Sequence, residues 1–595
     1  MTDPDLDPDL DPVPDSVPDP DPVPGTRTRT GAPDVPDVTV VLAVYNTMPY
    51  LTECLESVVG QTIGRASLQV VAVDDGSTDG GAAELDRFAE RYPDTVTVVH
   101  QPNSGGPAAP SNRGLALATG RYVHFVGADD RLGPEALARL VAFADEHGSD
   151  VVIGRMTGVG GRYVHQALFR RSATDIGFSD SALPFTLSNA KLFRRELLER
   201  HRLRFPEDLP VGSDQPFTIA ACVHARRISV LADYPYYYAV KRGDSGNITY
   251  TAGDPEKLRC TARIMHDAAA LIGPGPDRDS LFARHFGWEL AKLLRHGFAA
   301  LDPAVRGLLC AGIAALADAY LTEPLRDALP VAHRTRIALA QRGALGLLLR
   351  AIEDEERHGP VFAVDGDRAF LDCPGFRDPA SGLPDRVFEL LGEVPTTRLA
   401  AGTRLLHVDW DQDGDDLALA VAVRVPLTGD TRGTVVRLLP GALPRSADGP
   451  GGRRLPAGAV VRPAPGDVRY EPAPGGRGTV VHARIPVAAR TASLAVRVHL
   501  RLAGRVYEIP VRVRGTPLPV ARRWRLTDSY RAAVRINGKG RLTVVTGPMF
   551  PPPRPSPLAR VRRRIARALP FRNRPRSRTR IRNRPRPRTH SHPKG

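Results

Sequence analysis

Apolar and amphipathic segments alternate along the chain from residue 38 to about residue 130. Four short apolar runs, VTVVLAV, LQVVAV, VTVVH and YVHFVG, are separated by stretches such as LTECLESVVGQT and AAELDRFAERY, whose apolar residues recur at helical spacing. This alternation predicts an α/β, Rossmann-like domain with a parallel sheet and helices on both faces. Because ligands bind at the carboxyl ends of the strands in such sheets, functional side chains are expected directly after the apolar runs.

Two segments with other hydrophobic patterns follow this domain. Between residues 255 and 360 the apolar residues keep a helical period, as in EKLRCTARIMHDAAALI, which predicts an α-helical linker domain. From 361 to 547 β-branched residues alternate with polar ones between turn residues, as in SLAVRVHLRLAGRVYEIPVRV, which predicts an immunoglobulin-like β-sandwich region. The α/β domain is therefore expected to occupy residues 38–254.

The two ends of the chain differ sharply in charge. Residues 1–37 repeat Asp-Pro units and predict a disordered acidic leader, whereas residues 548–595 form an arginine- and proline-rich basic tail. Residues 551–595 contain 15 Arg, one Lys and no acidic residue, so this tail accounts for the net charge of +15. Such a tail can contact an anionic membrane surface, an anionic polymer or nucleic acid, or remain a solvated segment.

Neither a run of 18 or more apolar residues nor an apolar N-terminal signal core occurs in the sequence. The expected location is therefore cytoplasmic, with peripheral contact at the inner face of the membrane through the basic tail. The cysteines are scattered and never form a C-x-x-C pair, which predicts core thiols rather than disulfides or a zinc site. They are Cys54, Cys222, Cys260, Cys310 and Cys373.

Two acidic clusters end apolar runs and are the main candidates for chemistry. In VVAVDDGSTD, a carboxylate at the strand end can accept a hydrogen bond from the imide N–H of uracil, although Asp-Asp-Gly-Ser is also a common turn. In YVHFVGADDRL, Asp129 and Asp130 are hard oxygen ligands of the kind that hold Mg²⁺ or Mn²⁺. A bound diphosphate needs such a cation to become a good leaving group.

The ordered set of motifs resembles family 2 glycosyltransferases, which have the GT-A fold. The resemblance covers residues 38 to about 250 and rests on AVYNTMPYLTECLESVVGQT, VVAVDDGSTD, SNRGLALATGRYVHFVGADD and GSDQPF. It implies that Tyr45 and Asp75 hold the uracil of a UDP-sugar with Ala43 beside it, and that Asp129 binds the metal. It also implies that Asp214 is the general base for the acceptor hydroxyl; a single base acting by direct displacement predicts inversion at the anomeric carbon.

The sequence departs from the family pattern at two of these motifs. Residues 127–129 read Gly-Ala-Asp in place of the D-x-D motif, so the first carboxylate is missing and Asp130 is expected to compensate by contacting the nucleotide sugar. Pro-Ser-Asn at 110–112 stands where the family shows Ala-Arg-Asn. The resemblance therefore places Asn112 at the nucleotide sugar, and the phosphate-contacting arginine is Arg113 or is absent.

The overall layout also resembles the wall teichoic acid N-acetylglucosaminyltransferases, which glycosylate poly(ribitol phosphate). This narrower resemblance implies transfer of GlcNAc or another hexose to an anionic cell-envelope polymer, and homo-oligomers formed through the C-terminal β region. It draws on GSDQPF and on YYYAVKRGDSGNIT, in which Lys241 and Arg242 either pair with phosphates, Arg242 at the nucleotide sugar, or are solvated surface residues.

Several other functions are less well supported. Residues 409–414, DWDQDG, match the first half of an EF-hand loop, but Ala420 stands where a bidentate Glu is needed, so a strand-connecting acidic turn is predicted. His100 and His124 lack metal-ligand spacing and are expected to be structural.

The alternatives to an enzyme are a catalytically decayed scaffold that binds envelope polymer or membrane, and a nucleic-acid-binding protein that depends on the basic tail alone.

Overall fold

The computed structural model describes residues 35–243, 252–413, 416–440, 460–487, 492–513, 518–523 and 530–548. Almost all of the predicted acidic leader and the whole basic tail from residue 549 lie outside these ranges. The chain divides into two compact units. The first comprises Met1–Arg357 with Cys373–Gly392, and the second comprises His358–Asp372 with Glu393–Gly595.

A seven-stranded sheet forms the centre of the first unit, with strand order β3-β2-β1-β4-β8-β6-β9. Its strands are β1 (Val38–Val44), β2 (Leu68–Asp74), β3 (Val96–His100), β4 (Tyr122–Gly127), β6 (Val151–Gly154), β8 (Leu192–Arg194) and β9 (Ile228–Leu231). Every neighbouring pair is parallel except those that include β8, which runs antiparallel to β4 and β6. The predicted α/β fold class is confirmed.

Helices cover both faces of this sheet because its strands are apolar on both sides. Val41 of β1 belongs to one buried cluster, whereas its neighbours Val40 and Leu42 belong to another, as expected when successive side chains of a strand point to opposite faces. The helices are α1 (Tyr50–Val59), α2 (Gly81–Arg91), α3 (Ala108–Ala116), α4 (Ala136–His147), α5 (Arg195–Arg200) and α6 (Asp214–His224).

The register of the central strands sets the position of the functional residues. Val44 of β1 lies opposite Asp74 of β2, and Ala43 lies opposite Gly127 of β4. The segments that follow β1, β2 and β4 therefore leave the sheet side by side at its carboxyl edge.

A second, three-stranded sheet lies next to the end of β4. It consists of β5 (Arg131–Leu132), β7 (Met156–Val159) and β10 (Tyr237–Val240), with β10 in the middle, antiparallel to β5 and parallel to β7. Because β5 follows directly after the acidic pair at 129–130, the sheet brings β10 to this pair from more than a hundred residues away.

The linker consists of helices that share one hydrophobic core with the α/β domain. Phe217 of α6 lies in the same buried cluster as the linker residues Leu258, Phe282 and Leu309. The linker helices are α7 (Asp254–Leu271), α8 (Pro276–Arg284), a π-helical turn (His285–Glu289), α9 (Leu290–Leu293), α10 (Pro303–Tyr320), α11 (Glu323–Ala328), α12 (Val331–Gln341) and α13 (Leu345–His358); a short α14 (Asp385–Phe388) also belongs to this unit.

Among the described helices, only α10 has the length and mean hydropathy of a membrane span. Leu309, Ile313 and Leu316 on one of its faces are buried in the linker core, and Arg306 and Asp318 interrupt its apolar sequence. Packing within the linker accounts for its apolar face.

In its described residues the second unit is strand-rich and has one short α-helix, α15 (Thr396–Gly402). Its sheets have the orders β12-β11-β15, β13-β14-β18-β17 and β16-β19-β23-β22-β21, with β20 also paired to β19, and all pairs in the last two are antiparallel. The strands are β11 (Phe362–Asp365), β12 (Arg368–Leu371), β13 (Arg404–Asp413), β14 (Asp416–Val425), β15 (Leu427–Gly429), β16 (Val435–Pro440), β17 (Val468–Pro472), β18 (Thr479–Pro486), β19 (Ala492–Leu502), β20 (Arg505–Pro510), β21 (Val520–Arg523), β22 (Tyr530–Ile536) and β23 (Leu542–Pro548).

The segment that resembles half an EF-hand belongs to a β-hairpin. Asp409 and Asp411 lie within β13, which pairs with β14 up to Asp413 opposite Asp416. The Asp411 carboxylate accepts a hydrogen bond from Nε of Arg484 on β18 at 2.6 Å. Residues 409–413 therefore belong to a paired strand rather than to a calcium loop, and residues 414–415, between the two paired strands, lie outside the described ranges.

Candidate active site

The residues predicted to hold the uracil lie at the carboxyl ends of β1 and β2. Tyr45 directly follows β1 with 49% of its surface exposed, whereas Asp75 directly follows β2 and is 2% exposed. A ring open to solvent beside a buried carboxylate is a suitable arrangement for stacking a base and accepting its imide hydrogen. Ala43 lies one residue before the end of β1, between β2 and β4.

Asp75 is held by the loop that follows β3. Its Oδ1 accepts hydrogen bonds from Nε2 of Gln101 at 2.7 Å and from the Ser104 amide at 3.1 Å, and its Oδ2 accepts one from the Ser104 hydroxyl at 2.9 Å. The adjacent Gly76 has φ 78°, and a Cβ there would lie 2.9 Å from the Asn103 amide nitrogen. The glycine therefore lets the two loops meet and fix the orientation of the carboxylate.

Its neighbour Asp74 has a structural role. The Asp74 carboxylate accepts a hydrogen bond from the Ser77 amide at 2.9 Å and pairs with Nδ1 of His100 at 3.0 Å, while Nε2 of His100 pairs with Asp86 at 3.0 Å. Hydrogen bonds from Asp74 and Asp86 raise the pKa of His100; burial raises the pKa of Asp74, but the hydrogen bonds to it lower that pKa overall. His100 thus links β3 to the acidic turn after β2, in the structural role predicted for it.

Arg242 lies at the same edge of the sheet. Its guanidinium donates a hydrogen bond to the carbonyl oxygen of Asn46 at 2.9 Å and lies over the Tyr50 ring, 5.9 Å from the ring centroid. The Gly243 amide also donates to the Tyr50 hydroxyl at 3.1 Å. These contacts hold the cation next to Tyr45 and Asn46, where it could reach a phosphate of a nucleotide bound there.

At the end of β4, Asp130 is anchored to β10. Its Oδ2 accepts a hydrogen bond from the Tyr237 hydroxyl at 2.6 Å, and its Oδ1 accepts one from the Val240 amide at 2.7 Å. Burial and the charge of Asp129 raise the pKa of Asp130 to about 7, despite these hydrogen bonds. Asp130 therefore holds the second sheet against the acidic turn, a supporting position that sequence reasoning did not anticipate.

The donor set at this turn suits a divalent cation that is shared with a diphosphate. Asp129 and Asp130 are adjacent carboxylates, and their mutual repulsion, visible in the raised pKa of Asp130, would be relieved by a cation. Within the described ranges, no group of three or more His, Cys, Asp and Glu side chains could hold a metal. The Asp129 carboxylate, with the remaining ligands from phosphate and water, matches the coordination that Mg²⁺ prefers.

The missing first carboxylate of the D-x-D motif has a steric explanation. A Cβ at Gly127 would lie 2.9 Å from Oδ2 of Asp130, 3.2 Å from Oδ1 of Asp129 and 3.3 Å from the Tyr237 hydroxyl. The Gly127 amide also donates a hydrogen bond to that hydroxyl at 3.0 Å. The space that a side chain at 127 would need is therefore taken by the acidic pair and by Tyr237.

Restoring the family residue with Gly127→Asp is expected to lower kcat/KM for the donor by about tenfold or more, because it adds bulk and a third carboxylate to a filled site. Steady-state kinetics with UDP-sugar would measure this loss. Gly127→Ala separates bulk from charge and should lose less. A Gly127→Asp enzyme more active than wild type would show that the space is open and the explanation wrong.

The candidate base Asp214 is the first residue of α6 and follows Ser213. Burial raises the pKa of the Asp214 carboxyl, and the charges of Arg284 and Lys191 only partly oppose this effect. A carboxylate whose pKa lies above its ordinary value is a stronger base than an exposed one, as proton removal from a sugar or polyol hydroxyl requires.

Lys191, at the start of β8, is a functional candidate that the sequence did not reveal. It is fully buried, and its Nζ donates hydrogen bonds to the carbonyl oxygens of Thr186, at 2.6 Å, and Ser188. Burial lowers the pKa of Lys191 to about 8, and the charge of Asp214 acts in the opposite direction. A lysine inside the apolar stretch NAKLF was the only available signal.

Replacing Lys191 with methionine is expected to raise the pKa of Asp214 further, because a nearby positive charge is lost. The base must be ionised, so activity falls as the pH drops through this pKa, and the acidic limb of the kcat/KM profile should move to higher pH. The variant should also lose about 1–3 kcal/mol of stability, because two buried carbonyls lose their donor.

A pH series with the solvent-facing Lys257→Met as the matched control measures this shift. An acidic limb at the same pH in Lys191→Met and in wild type would show that Lys191 does not act on Asp214.

The predicted contact of Asn112 with the nucleotide sugar is not supported by the structure. The Asn112 amide group donates to the Phe205 carbonyl oxygen and to the Glu207 carboxylate, both at 2.9 Å, and accepts from the Phe205 amide at 2.8 Å. Its hydrogen bonds thus fasten α3 to the segment that precedes Asp214. Arg113, by contrast, is exposed on α3, and the described residues provide no hydrogen bond or ion pair for it; its phosphate contact stays a prediction.

A seven-stranded α/β sheet with acidic turns after β2 and β4 and a half-buried carboxylate at the start of α6 defines the GT-A class of nucleotide-sugar transferases. Residues 39–202 match the family model described as glycosyl transferase family 2, and residues 259–352 match that of the glycosyl transferase TarS linker domain. The chain belongs to glycosyltransferase family 2 and carries a TarS-type linker, as the sequence motifs predicted.

Two curated relatives show similarity to the N-terminal part of the chain. The poly(ribitol-phosphate) beta-glucosyltransferase of Bacillus spizizenii is 39% identical over 214 residues, 36% of this chain and 34% of that protein. The poly(ribitol-phosphate) beta-N-acetylglucosaminyltransferase TarS of Staphylococcus aureus is 40% identical over 227 residues, 38% of this chain and 39% of that protein. The chain thus aligns with little more than a third of each relative's length.

Solved structures extend the similarity in fold. The crystal structure of S. aureus TarS covers 86% of this chain and 86% of its own, with TM-score 0.55 and 21% identity. The structure of S. aureus TarS 1-349 in complex with UDP-GlcNAc covers 57% of this chain and 97% of its own, with TM-score 0.50 and 28% identity. The first comparison supports the order of an α/β domain, a helical linker and a strand-rich region.

Proposed function

We propose that this glycosyltransferase moves a hexose from a UDP-sugar to a hydroxyl group of a poly(ribitol phosphate) teichoic acid, with inversion at the anomeric carbon and with Mn²⁺ or Mg²⁺. The main support is the arrangement of three carboxylates: Asp75 and Asp129 follow β2 and β4, the two strands that flank β1 at one edge of the sheet, and Asp214 is half-buried with a raised pKa. The two relatives act on poly(ribitol phosphate), one with glucose and one with GlcNAc.

In this proposal, the donor binds along the carboxyl edge of the sheet. Tyr45 and Asp75 hold the uracil, and Arg242 lies where it can neutralise a phosphate. The similar TarS 1-349 structure contains UDP-GlcNAc, which supports a uridine nucleotide as donor. Asp129 would hold the metal ion, which supplies positive charge to the departing diphosphate.

Asp214 performs the proton transfer. The acceptor hydroxyl donates its proton to the Asp214 carboxylate while its oxygen attacks the anomeric carbon and the bond to UDP breaks. The burial that raises the pKa of Asp214 strengthens it as a base, and the charges of Arg284 and Lys191 limit that rise. A single displacement from the side opposite UDP inverts the anomeric configuration.

The other proposed partners concern parts of the chain beyond the site. We propose that the basic tail contacts the anionic polymer or the inner face of the membrane, and that the C-terminal β region forms homo-oligomers. Deleting residues 549–595 should then weaken binding to anionic vesicles or to polymer without changing donor KM. An oligomer should appear in sedimentation and be lost on deleting residues 393–595.

A panel of UDP-sugars tests the proposed activity directly. UDP release is expected with UDP-glucose or UDP-GlcNAc, to rise when poly(ribitol phosphate) is added, and to stop when EDTA removes divalent cations. The decayed-scaffold alternative predicts UDP-independent polymer binding and no release. Release that is fast without metal would overturn the metal requirement while leaving the transfer itself supported.

A further inference from the structure

Two exposed aromatic rings stack on each other outside the site described above. Tyr163 follows β7 and is 58% exposed, and Trp288 lies in the π-helical turn between α8 and α9 and is 42% exposed. Their ring centroids are 5.9 Å apart with an interplanar angle of 20°. The Lys292 ammonium lies 4.0 Å from the centroid of the Trp288 ring.

These rings contribute little to the hydrophobic core, because about half of each remains in contact with water. Large aromatic side chains that stay exposed next to each other commonly mark binding surfaces. π-Helical turns such as the one that carries Trp288 are also frequent at functional sites. Phe185 and His165 form a second stack with ring centroids 4.7 Å apart. His165 belongs to the same segment as Tyr163.

Contacts around the stack place it beside the candidate base. Arg284, four residues before Trp288, pairs with Glu289 at 2.6 Å and donates a hydrogen bond to Gln215 at 2.9 Å. Gln215 is the neighbour of Asp214, and the charge of Arg284 acts on the Asp214 carboxyl. Arg284 therefore contacts both the residue that follows Trp288 and the residue that follows Asp214.

The Tyr163 side of the stack is connected to the acidic turn after β4. Tyr163 is preceded by Arg162, whose charge acts on Asp130, and its segment continues from β7 of the second sheet. The stack thus lies on the side of the site formed by α6 and the linker, whereas the uracil residues lie at the ends of β1 and β2. A ligand on the stack would approach Asp214 rather than the nucleotide.

The chemistry of the stack matches a polyol phosphate. Aromatic faces pack against the C–H groups of sugars and polyols while leaving their hydroxyls in water, and an ammonium over the ring can pair with a phosphodiester. In a polyol phosphate acceptor chain, polyol units and phosphodiesters alternate. One stacked ring pair and one cation therefore suit one polyol unit and its adjoining phosphate.

We propose that Tyr163, Trp288 and Lys292 form an acceptor subsite that binds a poly(ribitol phosphate) unit next to the one whose hydroxyl reaches Asp214. This inference rests on the proposed function for the identity of the acceptor. The subsite raises affinity for polymer over a single unit and does not contact the donor.

The test compares Trp288→Ala, Trp288→Phe and Lys292→Gln in the full chain, with Leu308→Ala, an exposed residue on α10, as the matched control. Trp288→Ala is expected to raise KM for poly(ribitol phosphate) about tenfold, with donor KM and kcat at saturating polymer unchanged. With ribitol 5-phosphate as acceptor the same variant should match wild type. Trp288→Phe should recover most of the loss, and Lys292→Gln should weaken the dependence of polymer KM on salt.

Unchanged polymer KM in Trp288→Ala, or an equal loss with ribitol 5-phosphate, would overturn the subsite. If wild type transfers no sugar to the polymer, the proposed function fails, and affinity electrophoresis in gels that contain poly(ribitol phosphate) then decides about the subsite alone. Retardation of wild type that Trp288→Ala abolishes supports it, and equal or absent retardation contradicts it.

Discussion

Asp214→Asn is expected to lower kcat by roughly 10²–10⁴-fold while leaving KM for the UDP-sugar nearly unchanged. The amide keeps the shape of the side chain at the start of α6 but cannot take a proton from the acceptor hydroxyl. Initial rates of sugar transfer at saturating donor and acceptor measure the effect. UDP binding by calorimetry should remain as in wild type, since the uracil residues lie at other elements.

Asp208→Asn is the matched control. Asp208 is an exposed acid that precedes the same helix and pairs with Arg263. It should retain full activity. An Asp214→Asn enzyme within threefold of wild type would place the base elsewhere and remove the basis for the proposed proton transfer.

Asp129→Ala is expected to lower kcat/KM by about two to three orders of magnitude, because the departing diphosphate loses a metal-held charge partner. The residual activity should also need more Mn²⁺ to saturate than wild type does. Rates measured across a Mn²⁺ series, together with the affinity for UDP in the presence and absence of metal, test both parts of this prediction.

Asp130→Asn provides a comparison at the adjacent position. Since Asp130 is anchored by Tyr237 and Val240, its amide variant should lose stability and some activity but keep the wild-type Mn²⁺ dependence. The exposed Asp94→Ala serves as a neutral control. If Asp130→Asn shifts the Mn²⁺ dependence and Asp129→Ala does not, the assignment of the metal ligand is reversed.

The sequence predicted the parts of the site that depend on local pattern. Apolar runs located β1, β2 and β4, and in a parallel sheet the residues after such runs share one edge, so Tyr45 and Asp75 could be placed together without coordinates. The order of strands in the sheet and the insertion of antiparallel β8 could not be predicted, because they depend on pairing between distant segments rather than on periodicity.

The supporting residues of the site are the part that the sequence did not reveal. Tyr237 meets Asp130 across a separation of 107 residues, and Lys191, whose charge acts on Asp214, is buried directly before β8. The predicted role of Asn112 lacks structural support for a related reason: its partners, Phe205 and Glu207, lie more than ninety residues further along the chain. A motif shows which residue types are present but not which of them face the ligand.

Gly127 shows how a departure from a family motif can be misread. From the sequence, Asp130 was expected to compensate for the missing first carboxylate of D-x-D by contacting the nucleotide sugar. In the structure, Tyr237 and Asp130 fill the space that a side chain at 127 would need. The change at 127 is therefore consistent with an intact site whose support comes from β10.

The most direct test of the central claim is the incorporation of sugar from UDP-glucose or UDP-GlcNAc into poly(ribitol phosphate), with the anomeric configuration of the product determined by NMR. We predict Mn²⁺- or Mg²⁺-dependent incorporation of a β-linked sugar from the α-linked donor, which Asp214→Asn lowers by about two to four orders of magnitude. An α-linked product, or incorporation by Asp214→Asn at a rate close to that of wild type, would contradict single displacement with Asp214 as the base.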